Sequence, residues 1–282
     1  PTGYPSLECA LYRLPTVITI HDLTHEHIEA ADNIPDREGY LANKRYAVEH
    51  AQRVICVSHA TREALLDYYG IDENRIRVIH NGVNPSFKPL PPDVCRASID
   101  SLLPGDARDF ILFVGSRQRY KNFHRLLRAY RSWDLNGDID LVVVGAEPSP
   151  GDLQLDEVLP DDGRVHYLNA VTDQDLCALY QAARFFVYPS LEEGFGIPLL
   201  EAMRSGGHVC ASDIPPFREV AGEAACYFDP CSIDDMHNAF ARALDETVRQ
   251  QCAEAAKGLP SFSWDQCAED HWQVYQELSQ QA

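Results

Sequence analysis

Two glutamates flank a glycine-rich stretch in the second half of the chain. Glu193 and Glu201 are separated by seven residues, and Gly194, Gly196 and Pro198 lie between them. Glycine accepts the backbone angles of a tight loop, and proline is favoured in the first turn of a helix. The stretch therefore predicts a loop that runs into a helix beginning near Pro198.

The start of that helix is a candidate anion site. We expect the N–H groups of Leu199 and Leu200 to point out of the first turn, where the helix dipole also favours negative charge. A carboxylate cannot bind an anion, but it accepts hydrogen bonds from hydroxyls, so Glu193 and Glu201 suit sugar diols on either side of that site. A diphosphate with a sugar at each end fits this arrangement. A glycine turn with two exposed glutamates is the alternative that the residues leave open.

A basic loop is the second candidate. Arg117 and Lys121 lie between a predicted strand and a predicted helix, and six of the 24 Lys and Arg residues fall between positions 117 and 131. The planar guanidinium of Arg117 can bind two phosphate oxygens at once, and Lys121 adds a point charge at the helix start. A solvated basic helix face is the other interpretation. It explains the later arginines but not the pair at the loop end.

Composition and charge exclude several classes of protein. The 282 residues include 24 Lys and Arg against 43 Asp and Glu, a net charge of −19, with 45% hydrophobic and 24% charged residues. This balance is typical of a soluble globular chain and argues against a largely disordered one and against general nucleic-acid binding. The sequence has no run of 18 apolar residues, and residues 1–9 lack the pattern of a signal peptide.

The cysteines and histidines give no metal signature. Nine cysteines contain no C-x-x-C pair, so their spacing indicates neither a zinc site nor a disulfide framework, and reduced thiols in the cytoplasm are the interpretation we adopt. His21, His25 and His27 lie close together and could suggest a metal, but no second ligand cluster supports that idea. We therefore expect no metal and no cofactor.

Short apolar runs alternate with helical patterns along the chain, which predicts parallel βαβ units. Four prolines between Pro85 and Pro92 indicate a linker between two such blocks. Predicted helices include 122–133, 173–183, 198–204 and a C-terminal one with Ala268, Trp272 and Tyr275 on one face. The predicted strands are Val17–Ile20, Arg53–Val57, Arg77–Ile79, Phe110–Val114, Leu141–Val144, Val165–Leu168, Phe185–Tyr188, His208–Ala211 and Ala225–Phe228.

Five segments, in order along the chain, together resemble one family. The most specific is FVYPSLEEGFGIPLLEAM from Phe186, which continues to ASDIPPFREVAGEAACYFDP at Pro230. The others are VITIHDL (17–23), VICVSHATREAL (54–65), RIRVIHNGVNPSFKP (75–89) and ILFVGSRQRYKNF (111–123). The chain resembles the retaining glycosyltransferases of family 4, the mannosyltransferase-like group 1 glycosyl transferases.

The resemblance implies an α/β chain of GT-B type, with two Rossmann-like domains facing across a cleft. Residues 1–90 would form the C-terminal part of the acceptor-side domain, residues 91–264 the nucleotide-sugar domain, and residues 265–282 a helix crossing back to the first. The family's first domain begins with further βα units, which at roughly 30 residues each would mean about 60–90 residues absent before Pro1. The chain is then a fragment, or has a reduced acceptor domain, or is completed by another chain.

The resemblance also implies a role for each matching residue. Glu193 would hold the donor sugar near the reacting carbon, and His21 would contact its outer hydroxyls. Glu201 would accept hydrogen bonds from the ribose, and Val171 would lie beside the base. The diphosphate would bind Arg117, Lys121 and Leu199, and the backbone of Phe195, Gly196 and Ile197 would approach the donor.

Two positions depart from the family pattern. Asn169 stands where glycine is frequent beside the base, which leaves the base open. His208, in a Gly-Gly-His-Val stretch where the family often has Gly-x-Pro-Val, has no account from the sequence.

We expect a metal-independent, retaining transfer of a sugar from a GDP- or UDP-linked donor to a hydroxyl of a glycan or lipid-linked acceptor, in polysaccharide or glycolipid synthesis. A nucleotide-sugar binding module without turnover is the alternative, and epimerisation or phosphorolysis on the same fold is a weaker one. We place the protein in the cytoplasm, where it is free or peripheral at the inner membrane face.

Overall fold

The computed structural model describes residues 15–27, 36–103, 109–134, 138–145 and 163–280. The chain divides into two compact units. Unit 1 comprises Pro1–Gly82, Glu193–Phe195 and Ser261–Ala282, and unit 2 comprises Val83–Glu192 and Gly196–Pro260.

Strands and helices alternate through both units. The strands are β1 (Val17–Ile20), β2 (Arg53–Cys56), β3 (Ile76–Val78), β4 (Phe110–Val114), β5 (Asp140–Val144), β6 (Val165–Leu168), β7 (Phe186–Tyr188), β8 (Val209–Ser212) and β9 (Ala225–Phe228). The helices are α1 (Thr24–His27), α2 (Arg37–His50), α3 (His59–Tyr69), α4 (Pro92–Leu102), α5 (Phe123–Ser132), α6 (Asp173–Ala182), α7 (Ile197–Arg204), α8 (Pro215–Ala221), α9 (Ile233–Leu244), α10 (Glu246–Ala256) and α11 (Trp264–Ser279). In the described part of the chain, we find no helix with the length and apolar character needed to cross a membrane.

Unit 1 is built on a parallel sheet of order β1-β2-β3. Ile18, Ile20, Val54 and Cys56 form a buried core with neighbouring apolar side chains from α2 and α3. A second apolar cluster joins Ile55 and Ile79 to Cys267 and Val274 of α11.

Unit 2 contains a six-stranded parallel sheet of order β6-β5-β4-β7-β8-β9. The order runs outward in both directions from the pair β4 and β7, which meet at Leu112 and Phe186. In an open sheet of this kind, ligands bind at the carboxyl ends of the strands beside the point where the strand order reverses. The loops after β4 and β7 are therefore the place to look for a site.

The predicted strands are confirmed, each within one residue of an observed strand at either end. The helix predicted over 122–133 is also confirmed as α5, which buries Phe123, Leu126 and Tyr130 completely.

The face predicted for the C-terminal helix is wrong as a packing surface. Trp272 and Tyr275 are about half exposed, and α11 buries Cys267, Val274 and Leu278 instead. The large aromatic side chains misled the sequence interpretation, because smaller residues carry the contact with the sheet.

The proline-rich segment is packed rather than free. Phe87 is buried with its ring 6.3 Å from that of Tyr180, and the backbone N–H of Leu90 donates to Gln181 Oε1 at 2.8 Å. The division between the units falls before this segment, between Gly82 and Val83. The expected linker is thus part of unit 2.

Asn122 ties together three loops at the carboxyl edge of the unit 2 sheet. Its side-chain amide donates to the carbonyls of Pro189, after β7, and Pro230, after β9, at 3.0 and 2.8 Å. Its Oδ1 accepts from Arg125 at 2.6 Å. The residue is completely buried and has φ +59°, and it is the one non-glycine residue with positive φ in the described ranges. Asparagine tolerates this conformation better than most residues.

We predict that Asn122→Ala lowers the free energy of unfolding by about 3 kcal/mol or more. The buried carbonyl of Pro189 loses its donor, the carbonyl of Pro230 keeps only the bond from Arg125, and alanine must adopt positive φ without side-chain hydrogen bonds. Asn122→Gly keeps the loss of hydrogen bonds but removes the backbone strain, so it should be less destabilised. Urea unfolding measures both, with Asn238→Ala at an exposed helical position as the control. A wild-type free energy of unfolding in Asn122→Ala would show that these hydrogen bonds do not stabilise the three loops.

Candidate functional site

Two glycines shape the backbone at the ends of β4 and β5. Gly115 and Gly145 have φ of +148° and +150°. A Cβ on Gly145 would lie 2.2 Å from the carbonyl oxygen of Gly115. This contact requires glycine at position 145, and it brings the two strand ends together without side chains between them.

Lys121 lies in the loop between β4 and α5, directly before Asn122. Its Nζ donates to the hydroxyl of Tyr188 at 3.1 Å and lies 5.2 Å from the centre of that ring and 5.0 Å from that of Tyr120. The backbone N–H of Leu191 donates to the carbonyl of Tyr120 at 2.7 Å, which joins this loop to the one after β7. The ammonium is therefore half-buried beside two tyrosines at the end of the loop.

Arg117 is set deeper than Lys121. Its side chain is only 5% exposed, and its guanidinium carbon lies 4.6 Å from the ring centre of Tyr167 in β6 and 5.9 Å from that of Phe123. Cation–π contacts of this kind hold a guanidinium in a fixed plane. The structure therefore gives Arg117 a packing role in addition to the phosphate role that the sequence predicts.

The start of α7 corrects one expectation. Gly196 has φ +110°, and a Cβ there would meet the ring of Phe217 at 3.1 Å. The N–H of Leu199 donates to the carbonyl of Gly196 at 3.0 Å. The prediction that the Leu199 amide points out of the helix start as an anion ligand is therefore wrong, because the first turn tightens around it. Ile197, at the first position of the helix, is half-buried.

Glu201 faces α6. Its Oε2 accepts a hydrogen bond from the hydroxyl of Tyr180 at 3.2 Å. Burial raises the pKa of Glu201, the bond from Tyr180 opposes that shift, and the charge of Asp173 adds to it. Burial and the neighbouring carboxylate raise the pKa of Tyr180 as well, so the phenol stays protonated and donating. Val171, two residues before α6, is half-buried.

The tripeptide Glu193–Phe195 belongs to unit 1, although its neighbours on both sides belong to unit 2. The hydroxyl of Ser58 donates to the carbonyl of Gly194 at 2.6 Å, and the hydroxyl of Thr61 lies 3.0 Å from the same oxygen. A Cβ on Gly194 would lie 1.5 Å from the carbonyl oxygen of His21. The backbone of the tripeptide is thus held between the start of α3 and the end of β1.

Phe195 completes that attachment. The ring is 3% exposed, and its centre lies 5.7 Å from that of His80 and 5.4 Å from that of Phe262. Glu193 is half-buried. The phenylalanine anchors the segment by its side chain, and the approach of its backbone to a ligand stays a prediction.

A buried ion pair supports the loop that carries His21. Lys44 and Glu26 are fully buried and lie 2.7 Å apart, Nζ to Oε1. Lys44 also donates to the carbonyl of Asp22 at 2.8 Å, and the hydroxyl of Tyr69 donates to Glu26 at 2.7 Å. The imidazole of His21 itself is exposed at the end of β1.

The histidines near His21 do not gather around a metal position. His25 packs edge-on against Tyr40, with ring centres 5.0 Å apart, and His27 packs against Tyr68 at 6.0 Å. Among the residues that the structure describes, these histidines do not form a group with ligand atoms within 4.8 Å of one another.

The predicted site residues divide between the two units. His21, Glu193 and Phe195 lie in unit 1. Arg117, Lys121, Val171, Gly196, Ile197, Leu199 and Glu201 lie in unit 2.

Sequence reasoning missed the residues that hold these side chains in place. They are Lys44, Thr61, Asn122, Tyr180 and Ser58, whose hydroxyl donates a hydrogen bond to the Gly194 carbonyl. Ser58 is also the N-cap of α3, since its hydroxyl accepts from the N–H of Thr61. The signal for Asn122 is an asparagine directly before a helix that starts without a proline or a hydroxyl cap.

The comparisons with known proteins decide the family. Residues 96–259 match the family model described as glycosyl transferases group 1, and residues 1–87 match the one described as glycosyltransferase family 4. The chain belongs to glycosyl transferases group 1. The family assignment made from the sequence motifs is confirmed.

This group 1 chain has curated relatives among bacterial mannosyltransferases. It is 29% identical over 251 residues to the O-antigen chain mannosyltransferase B of Escherichia coli, covering 86% of this chain and 65% of that protein. It is 30% identical over 216 residues to the O-antigen chain mannosyltransferase RfbU of Salmonella typhimurium, covering 76% and 56%. The chain thus spans less than two thirds of the length of both relatives.

Solved structures establish the fold. Sucrose-phosphate synthase from Thermosynechococcus elongatus superposes with a TM-score of 0.77 at 24% identity, over 98% of this group 1 chain and 71% of that one. WaaG, a glycosyltransferase involved in lipopolysaccharide biosynthesis, gives 0.74 at 21% identity, over 92% and 75%. The expected GT-B class, an α/β fold with parallel sheets, is confirmed.

We predict that Gly194→Ala destabilises this group 1 chain, because the added Cβ would overlap the His21 carbonyl, a backbone atom that cannot rotate away. Thermal unfolding measures the effect. Gly258→Ala is the matched control, since the nearest atom to its added Cβ is 3.5 Å away. Equal behaviour of the two variants would show that the tripeptide is not held as described.

Proposed function

We propose that this chain carries the donor-binding half and part of the acceptor half of a retaining mannosyltransferase. The reaction transfers mannose from a nucleotide-diphosphate mannose to a hydroxyl of a growing polysaccharide, without a divalent metal. The observation that carries the proposal is a half-buried ammonium at Lys121, in the loop that leaves the carboxyl end of β4 and is hydrogen-bonded to the loop after β7. Glu201, a half-buried carboxylate in α7, adds an acceptor on the helix that follows that second loop. The named activities of the curated relatives support mannose as the sugar.

The diphosphate is assigned to Lys121 and Arg117. The leaving nucleoside diphosphate gains negative charge as the bond to the sugar breaks, and positioned cations stabilise that charge without a metal. With the Leu199 amide engaged, the side-chain cations carry more of this stabilisation than the sequence alone suggests.

The two glutamates take different roles in the proposal. Glu201, fixed by Tyr180, accepts hydrogen bonds from the ribose, which does not change during the reaction. Glu193 holds the sugar, whose anomeric carbon becomes positive in the transition state, and His21 contacts its outer hydroxyls. The backbone of Gly196 and Ile197 approaches the donor, with Val171 on the base side.

The experiment that tests the function is product analysis by mass spectrometry with GDP-mannose and mannose-terminated oligosaccharides, with and without magnesium. We expect transfer of one hexose in both conditions, and an α-linkage in the product by NMR because the donor is an α-glycoside. Donor binding without transfer would favour a nucleotide-sugar binding module. Activity that requires added magnesium or manganese would contradict metal independence.

We predict that Lys121→Ala weakens GDP binding about ten- to a hundredfold, because a charge-assisted hydrogen bond contributes about 1.5–3 kcal/mol. Arg119→Ala removes an equal charge two residues away at an exposed position and is the matched control. Isothermal calorimetry measures both affinities. A similar, small loss of GDP affinity in both variants would mean that the summed positive charge of the loop attracts GDP without a specific contact from Lys121.

Arg117→Ala should weaken GDP binding at least as much as Lys121→Ala if its forked contacts reach the phosphates. Because Arg117 packs on Tyr167, the melting temperature of each variant is measured as well as its affinity for GDP. Arg117→Lys keeps the positive charge but lacks the forked guanidinium. Lost stability with unchanged affinity would assign Arg117 to packing alone.

Glu193→Gln and Glu201→Gln should fail differently. Removing an interaction that strengthens in the transition state lowers kcat, here by a factor on the order of 100, with little change in GDP affinity. Removing the ribose contact of Glu201 raises KM for the donor and leaves kcat nearly intact. Steady-state kinetics at saturating acceptor separates the two, and equal losses in both parameters for both variants would make the pair structural.

The affinity for GDP should depend on pH through Glu201. Its pKa is raised by burial, so its carboxylate becomes protonated at a higher pH than that of an exposed glutamate. A protonated carboxyl loses acceptor capacity, and GDP affinity should therefore fall as the pH is lowered through this raised pKa. Calorimetry over a pH series checks this, and the fall should be absent in Glu201→Gln.

A further inference from the structure

Three side chains that can bind a metal meet at the amino-terminal end of β8 and β9, away from the carboxyl edge that carries the candidate site. His208 directly precedes β8, Cys226 is the second residue of β9, and Cys252 lies in α10. Their ligand atoms all lie within 4.8 Å of one another, and Cys226 Sγ is 3.7 Å from His208 Nε2. Each side chain is more than nine-tenths buried.

The spacing matches what a tetrahedral zinc ion requires. Zinc–sulfur bonds of about 2.3 Å and zinc–nitrogen bonds of about 2.0–2.1 Å, at tetrahedral angles, place ligand atoms roughly 3.5–3.8 Å apart. Cys226 Sγ and His208 Nε2 are already 3.7 Å apart. Cys252 Sγ lies within 4.8 Å of both, so only a small shift of side chains is needed. No change in the backbone path of three separate elements is needed.

We propose that His208, Cys226 and Cys252 bind one zinc ion that fastens α10 to β8 and to the edge strand β9 of unit 2. Thiolate and imidazole ligands select zinc over magnesium or calcium, which prefer oxygen. Binding releases the thiol protons, and a solvent molecule takes the fourth position. The ion is structural, since it lies at the end of the sheet opposite to the strand ends that carry Lys121 and Gly115.

A path for the metal is present. An open cleft of about 700 Å³ has Cys226 and Cys252 in its lining, together with the carboxylates of Glu223 and Asp235. The lining holds three carboxylates, Asp213 among them, against the guanidiniums of Arg218 and Arg242, and the cleft supplies the solvent that completes the coordination. The rest of the lining comes from α8, β9, α9 and α10 and from Asp213 after β8.

The proposal also gives His208 a role. The sequence shows a histidine where the family often has proline, with no reason for it. A disulfide between Cys226 and Cys252 would use both thiols and leave the imidazole without a function, whereas a metal uses all three groups. The sequence interpretation missed the site because its ligands are separated by 17 and 25 residues, a spacing with no short motif.

The test uses the full chain, reduced with a phosphine and freed of metal by dialysis against a chelator. Titration with Co²⁺ should produce thiolate-to-cobalt charge-transfer absorption and the visible bands of a tetrahedral site, saturating at one ion per chain. Zinc should displace the cobalt and raise the melting temperature.

Variants locate the site. Cys252→Ser, a near-isosteric change, and His208→Asn should lose the charge-transfer band or its stoichiometric saturation, and zinc should no longer raise their melting temperature. Cys231→Ser removes an exposed thiol, the group most prone to adventitious binding, and should behave as wild type. Because the cobalt spectrum of the wild-type chain needs no variant, the proposal can be tested even if a variant fails to fold.

Three results would overturn the proposal. They are a reduced wild-type chain with no thiolate–cobalt band, full stoichiometric binding in Cys252→Ser, and loss of binding in Cys231→Ser.

Discussion

The side-chain amide of Asn122 is the constraint on which the candidate site of unit 2 depends. A buried amide must be satisfied, and here its partners are carbonyls from the loops after β7 and β9. Meeting that requirement fixes the loop after β4, and with it Lys121 and the Tyr120 carbonyl that receives the N–H of Leu191. The parallel sheet brings these loops to one edge, but the hydrogen bonds of a single residue set their spacing. Asn122, which is not among the predicted site residues, thus determines where the predicted site residue Lys121 lies.

Different structural supports hold residues that are neighbours in sequence. Glu193 is fixed through Gly194 to Ser58 and Thr61 of unit 1, whereas Glu201 is fixed by Tyr180 of unit 2. The two carboxylates are therefore positioned by independent sets of contacts, although eight positions separate them in the chain. This independence is the physical reason why their proposed roles can be separated by mutation.

Local patterns predicted most of the fold, and long-range contacts account for what they missed. Runs such as Phe110–Val114 predict strands because five consecutive apolar residues between polar segments suit a sheet covered on both faces. The loops after these strands follow from the same pattern, which is why Lys121 and Glu201 could be selected. No local pattern shows that Ser58 reaches a carbonyl 136 residues away, or that Lys44 is buried because Glu26 pairs with it. The engaged amide of Leu199 was missed because the turn at Gly196 tightens the first helical turn, a detail of backbone angle that residue type alone leaves open.

The strand order of unit 2 also has a consequence for how the chain is made. As the polypeptide leaves the ribosome, β4, β5 and β6 can pair with one another at once, since they follow in sequence. The other edge of β4 must wait for Phe186, and Asn122 must wait for carbonyls 67 and 108 residues further on. Until then a fully apolar strand keeps one row of N–H and C=O groups unpaired, which is a template for aggregation. The loop after β4, which organises the finished site, is therefore among the last parts of unit 2 to be fixed in place. In a nascent chain that ends before Pro230, the hydrogen bond from Asn122 to that carbonyl cannot form.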